Sequence, residues 1–345
     1  MKLRKELLQH FVLLAVAVAL AAFFWLRDQT PDARAREMVE VWPGVAKQVE
    51  TVQWEGENRS VSLEAKHDEQ GRFYVGTVEE QVTRVKAKAA PDAGADADLE
   101  SKPPEATTEE QSEVTHFVAV GEADELLKQL APLRAYRAIG RVDAEREAEF
   151  GLDKPKGTLR VTIGGQQRSL VIGGAAPGDT DYYARQPDSG DVYAISGDIV
   201  RRLMAASSRL AERELHHFEA DQVTRVVLTA GDVSRELLRI EGQSGNWARG
   251  DTPGQQDETA GNWMTKLDRL RVTKYEAQPS QPPEPVVHVT YYDGRRQIGF
   301  LDLARVSGDG DHPDFVVRTE YTRWYGKVFR SSAEQLTQDL PSVLR

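Results

Sequence analysis

Seven histidines are present in the 345-residue chain, and only His216 and His217 are adjacent. Neighbours at a helix end point in different directions, so the pair does not present facing ligands to a metal. The sequence reads them as surface or helix-terminal residues. The run from Gly308 to Asp314, GDGDHPD, sets Asp309, Asp311 and Asp314 in a turn that offers oxygen ligands to calcium. No glutamate closes that loop and Pro313 interrupts it, so a hairpin turn is expected. Asp179 and Asp181 receive the same reading. Nucleophilic hydrolysis would need a G-x-S-x-G or S-x-x-K motif between a strand and a helix, and neither occurs in such a setting. Gly326-Lys327 lacks the glycine five positions earlier that a phosphate-cradling loop requires. Carboxylates abound without an identifiable acid/base pair. The expectation is no enzyme, no metal and no cofactor.

Aromatic residues are the stronger candidates. Tyr182, Tyr183 and Tyr193 in one part of the chain, and Tyr291, Tyr292, Trp324 and Tyr325 in another, lie on alternating segments read as strands. Strand geometry sends neighbouring side chains to opposite faces. One tyrosine of each pair is then expected to pack in the core, leaving the other free to stack on a sugar, lipid or peptide. The candidate ligand or partner surface is therefore Tyr182, Tyr183, Arg185, Tyr291, Tyr292 and Trp324, with core packing as the competing reading for the tyrosines and a tyrosine or carboxylate partner as that for Arg185.

The elements that would carry these residues begin with the N-terminus. Lys2, Arg4 and Lys5 precede an uncharged stretch from Leu7 to Leu26, followed by Arg27 and Asp28. At about 1.5 Å per residue that stretch reaches about 30 Å, the hydrocarbon thickness of a bilayer. Ala17, Ala19 and Ala21 offer A-x-A patterns for signal cleavage, but the bulky run Phe23-Phe24-Trp25-Leu26 continues beyond them and favours a retained anchor. The leading positive charges keep the N-terminus cytoplasmic. The expected location is the bacterial inner membrane, with one span at 1–28 and a periplasmic body. The absence of cysteine excludes disulfides, zinc ribbons and thiol nucleophiles. A net charge of −11 excludes an electrostatic footprint for nucleic acid.

Self-similarity organises the body. Residues 45–76 lie without a gap on residues 219–250, matching Val52 with Val226, Leu63 with Leu237 and Phe73 with Trp247. Each segment reads as a three-strand meander followed by an amphipathic helix, ADELLKQLAPLRAYRAI in the first and NWMTKLDRLRVTKYEA in the second. Further strands and a helix capped by Ser196 or Ser332 close each unit. The expected fold class is α+β: two tandem copies of a β-meander, helix, β-meander, helix unit, preceded by one transmembrane helix. The expected domains are 1–28, 29–215 and 216–345. Residues 86–113 lack aromatics and lean acidic and Ala/Pro-rich, which reads as a disordered insert.

Several of these residues carry a family likeness. The box Phe150-Gly151-Leu152-Asp153-Lys154-Pro155, the strand ending LVIGG, the segments Tyr182-Tyr183-Ala184-Arg185 and Val192-Tyr193-Ala194-Ile195, and the exit Arg213-Glu214-Leu215 through Phe218 resemble the bacterial domain of unknown function 4340 in that order. The likeness covers roughly residues 45–275. It implies an anchored envelope protein associated with ABC-2-type or gliding-motility-like export systems, with a permease and an ATPase as partners. It carries over no catalytic residue. The expected function is therefore a non-enzymatic accessory subunit or scaffold. A module binding a glycan, lipid or peptide between the two copies, and an envelope hydrolase, are the alternatives.

Overall fold

The structure, a computed structural model, describes residues 38–86, 107–178, 180–240, 246–276, 281–308 and 312–345. The apolar stretch Leu7–Leu26 and the turn residues Asp179, Asp309 and Asp311 lie outside these ranges.

Alternating burial builds the strands. In β7 (Gly157–Ile163), the residues Gly157, Leu159, Val161 and Ile163 turn inward while those between are half-exposed. Gly164 and Gly165, with φ of 55° and 75°, form the two-residue turn into β8 (Gln166–Ala175), a conformation that side chains disfavour.

Counting from the start, β1 (Val39–Trp42), β2 (Val49–Gly56), β3 (Arg59–Asp68), β4 (Gly71–Lys86) and β5 (Thr107–Ala119) lead to helix α1 (Gly121–Leu130). Strand β6 (Leu133–Gly140) and helix α2 (Ala144–Glu149) precede β7 and β8. Strands β9 (Asp181–Arg185) and β10 (Val192–Ser196) and helices α3 (Gly197–Met204) and α4 (Ala206–Arg209) come next. The second half comprises β11 (Arg225–Ala230), β12 (Val233–Arg239), β13 (Trp247–Arg249), helix α5 (Glu258–Asp268) and β14 (Lys274–Glu276). It ends with β15 (Glu284–Asp293), β16 (Arg296–Val306), β17 (Asp314–Thr319), β18 (Tyr325–Lys327) and helix α6 (Arg330–Leu344).

These strands form two antiparallel sheets. One has 10 strands in the order β1-β6-β10-β9-β8-β7-β2-β3-β4-β5, the other 8 in the order β13-β12-β11-β15-β16-β17-β18-β14. Leu126, Leu127 and Leu130 of α1 and Ile199, Val200 and Leu203 of α3 are buried in the apolar core of the first sheet. Met264 and Leu267 of α5 and Leu336 and Leu340 of α6 are buried in that of the second. Leu210 and Leu215, in the connection between the halves, belong to the same continuous cluster. Each such leucine contributes roughly 1.5–3 kcal/mol on leaving water, so the connection is packed into the core rather than free of it.

The expected fold class is overturned. Instead of α+β units with two meanders divided by a helix, each half is a single antiparallel sheet. The strands after the helix pair with those before it: Val52 opposes Val161 across β2 and β7, and Val226 opposes Tyr291 across β11 and β15. Both segments expected to be wholly helical end early. Helix α1 stops at Leu130, just before Pro132, whose ring bars continuation, and Leu133–Gly140 becomes β6. Helix α5 stops at Asp268 and Lys274–Glu276 is strand.

Ser196 does cap α3, accepting from the Asp198 N–H at 3.3 Å, but Ser332 lies inside α6, whose N-cap is Phe329. The insert expected at 86–113 as a disordered loop has ordered ends: Gln81–Lys86 pairs with Thr107–Ser112 as the outer part of a long β4–β5 hairpin. The transmembrane helix of the expected fold class is not among the described elements: among the described residues no helix is long and apolar enough to cross a membrane, and the expected span at 1–28 lies outside them.

Candidate functional site

The six residues expected to form a ligand surface do not come together. Tyr183 stacks on Phe150 with ring centroids 4.1 Å apart, so the FGLDKP segment packs on β9. Arg185 pairs with Glu147 of α2 at 2.7 Å. Tyr182 packs half-buried against the core with Lys156 5.3 Å from its ring centre. On the second sheet Tyr291 is 2% exposed, whereas Tyr292 holds the Arg225 guanidinium 3.8 Å over its ring. Trp324 is half-buried against the core. Each of the six packs within its own half of the chain. Among the described residues no three histidines, aspartates or glutamates gather as metal ligands.

The chemistry converges instead on the junction of the two sheets, around the turn Thr319–Trp324 between β17 and β18. Its members reach four different targets. The Thr319 hydroxyl donates to the Leu215 carbonyl at 2.5 Å, inside a turn where Thr319 and Thr322 are buried. Glu320 accepts from His216 Nδ1 at 2.8 Å through one oxygen and from the Phe300 N–H at 2.8 Å through the other. A carboxylate offers only acceptor oxygens, which makes the imidazole ring the donor in this bond. His216 is further held between Phe218, stacked at 4.5 Å, and the edge of Tyr291 at 4.6 Å. Arg323, with φ of 58°, crosses to the first sheet and pairs with Asp68 at 3.2 Å while lying 5.2 Å from the centre of the Phe73 ring.

The fourth target is Glu212, a carboxylate only 4% exposed in the connection between the halves. One oxygen accepts from the Gly121 N–H at the start of α1, at 3.1 Å. The other accepts from the N–H groups of Arg213 and Glu214, both at 3.1 Å. Tyr321 adds its phenol. A buried charge persists only when its lone pairs are filled in this way, and a helix N-terminus adds a favourable dipole. Burial, reinforced by the Glu212 charge, pushes the Tyr321 phenol well above its ordinary range. Tyr275 donates to the Glu212 carbonyl at 2.7 Å and is shifted upward for the same first reason. Gly121 allows a close approach, because a Cβ there would lie 2.9 Å from the Tyr321 hydroxyl and that phenol would have to shift.

Beside this junction runs an open groove of about 640 Å³, bordered by Arg72, Gly121, Asp124, Gln297, Tyr321 and Arg323. Two of its three arginines are held within the protein. Arg72 donates to the carbonyls of Lys47 and Val49, and Arg323 is paired with Asp68. Arg296 is exposed and lies 3.5 Å from Asp293, so the groove offers amide, hydroxyl and carboxylate groups beside one accessible guanidinium.

Sequence reasoning named Trp324 and Tyr325 at the edge of this turn and missed Thr319, Glu320, Tyr321 and Arg323, as well as Glu212. A signal existed: TEYTRW fills a tight turn without the glycine, asparagine or aspartate that turns ordinarily use.

The family model of the domain of unknown function DUF4340 matches residues 118–286. The matched range runs from the end of β5 into β15, taking in α1, the FGLDKP segment and Glu212. It begins later and ends further on than the likeness read at 45–275. No curated protein and no solved structure matches the chain.

Proposed function

On the premise that the chain belongs to the family of the domain of unknown function DUF4340, we propose that it is a non-enzymatic, membrane-anchored extracytoplasmic subunit accessory to an ABC-type export system. The N-terminal segment holds the chain at the bacterial inner membrane, and the two sheets present a preformed surface to a permease and its ATPase. The observation that carries this reading is the junction itself: one turn grips the connection at Leu215, His216 and Glu212 and the first sheet at Asp68. Surfaces fixed before association lose little conformational entropy on binding, which suits a scaffold.

The test is affinity purification of the full chain from native membranes in mild detergent. Co-purification of one permease and one ATPase in constant ratio is expected. A chain recovered without either would overturn the reading.

A second reading rests on the groove of about 640 Å³ beside Tyr321, whose size and polar lining suit a glycan, lipid headgroup or peptide. A thermal-shift screen of envelope glycans, lipids and peptides separates it from the first, since a ligand that binds only the folded state raises its melting temperature with concentration.

A further inference from the structure

A second cavity, of about 480 Å³, opens at the other end of the first sheet, where α1, α3 and β6 meet Met38, just before β1. Its walls combine two chemistries. Met38, Pro132, Tyr136 and Ile199 are apolar or aromatic, while Lys128 and Arg134 are cationic. Arg134 is exposed and has no ion-pair or hydrogen-bond partner among the described residues. Lys128 is exposed and, among the described residues, is paired with Glu125 alone, at 2.6 Å.

Of the acids nearby, Asp198 is paired and, among the described residues, Glu40 is not. Asp198 is engaged by Arg202 at 2.7 Å and by Gln129 at 3.0 Å. Glu40 lies opposite Arg134 in the β1–β6 register without an ion pair among the described residues. A free guanidinium, a surface ammonium and an apolar floor together suit a phosphate attached to something greasy.

Position points to the same occupant. Arg27–Glu37 alone separates the stretch ending at Leu26 from Met38, and chain of that length spans at most about 40 Å. The exposed apolar residues Met38 and Val39 sit at this end of the sheet. We propose that the cavity receives the phosphate headgroup of an anionic lipid in the membrane to which the chain is tethered, docking the β1–β6 edge on the bilayer surface. This rests on the anchored reading above.

Because the chain has no cysteine, single-cysteine probes report cleanly. The full chain carrying Met38→Cys is reconstituted in phosphatidylcholine vesicles with or without phosphatidylglycerol, and its labelling by a membrane-impermeant maleimide is timed. Phosphatidylglycerol is expected to slow labelling at least about five-fold, the equivalent of about 1 kcal/mol for one basic residue at an anionic surface. A Gln255→Cys control, in the turn between β13 and α5, is expected to label at one rate in both vesicles.

Adding Lys128→Glu and Arg134→Glu, both at exposed positions, is expected to abolish the slowing while Gln255→Cys labelling stays unchanged. Equal Met38→Cys rates in the two vesicles would overturn the proposal. Soluble glycerol phosphate that protects as well as the anionic vesicle would overturn the membrane as the source. Flotation of the same samples keeps the two readings apart: a chain that floats without lipid-dependent protection removes this inference alone, and a chain that fails to float removes both.

Discussion

Arg323 and Asp68 lie 255 positions apart in the sequence and meet at 3.2 Å, tying the β17–β18 turn of the second sheet to the β3–β4 turn of the first. Arg323 is 9% exposed and Asp68 34%, so the pair is partly screened. Arg323 also occupies a left-handed conformation, with φ of 58°, which costs a non-glycine residue of order 1 kcal/mol and persists because the side chain is held. The double-mutant cycle of Arg323→Ala with Asp68→Ala is expected to give a coupling of about 0.5–1.5 kcal/mol in urea unfolding. A coupling of zero would show that the two turns are joined by packing alone.

Glu212 should be the costlier residue. Glu212→Gln keeps the shape but replaces an acceptor oxygen with an NH₂ group facing N–H donors. A loss of about 2–3 kcal/mol is expected, because a buried polar mismatch forfeits more than one ordinary hydrogen bond. Tyr321→Phe, which leaves the backbone donors in place, should cost about 1 kcal/mol. Chemical denaturation of the two variants side by side checks the ranking.

Gly121→Ala tests the close approach at the start of α1. Alanine would gain up to about 1 kcal/mol of helix propensity in a free helix, yet its Cβ would meet the Tyr321 hydroxyl at 2.9 Å. A net destabilisation of about 1–3 kcal/mol is expected from the overlap. Adding Tyr321→Phe removes the obstructing oxygen and should restore part of the melting temperature. Additive losses in the double variant would refute this account.

Alkaline pH should weaken the fold through its buried phenols. Burial pushes Tyr74 up from 10.0 to about 12 and raises Tyr275 and Tyr321 as well. Each folded-state value exceeds the unfolded one, so their stabilisation is fully present below pH 10 and declines as pH rises through the folded values. Unfolding free energy is expected to fall from pH 10 to about 12, less steeply in Tyr275→Phe. Absorbance titration of the 10 tyrosines should show a late-ionising group that joins the main transition in denaturant.

The acid limb involves Asp314, whose hydrogen bonds from Arg330, at 2.6 Å, and from Lys327, at 3.1 Å, hold its carboxyl below the usual value of 3.8. Its contribution is present above pH 3.8 and is lost as pH falls through the lower folded value. Asp314→Asn should therefore reduce the stability difference between pH 5 and pH 2.5 relative to the parent chain, read by urea midpoints at both pH values.

Local features are legible in the chain. Alternation in Gly157–Ile163 marks a strand, Gly164-Gly165 marks its turn, and Ser196 marks a helix start, because each depends only on backbone preferences over a few residues. That one of Tyr291 and Tyr292 is buried follows from the same period of two, although not which one. Partnership arises only on folding. That Leu133–Gly140 is strand rather than helix depends on finding β1 and β10 on either side, and the two-sheet architecture follows from β2 meeting β7 and β11 meeting β15 across long separations. Nothing around Glu212 in the chain announces that it is buried; its four donors come from the next two residues, from Gly121 and from Tyr321. Periodicity encodes which face of an element is apolar, whereas the energy of a buried carboxylate or an inter-sheet ion pair exists only once distant groups share one low-dielectric volume.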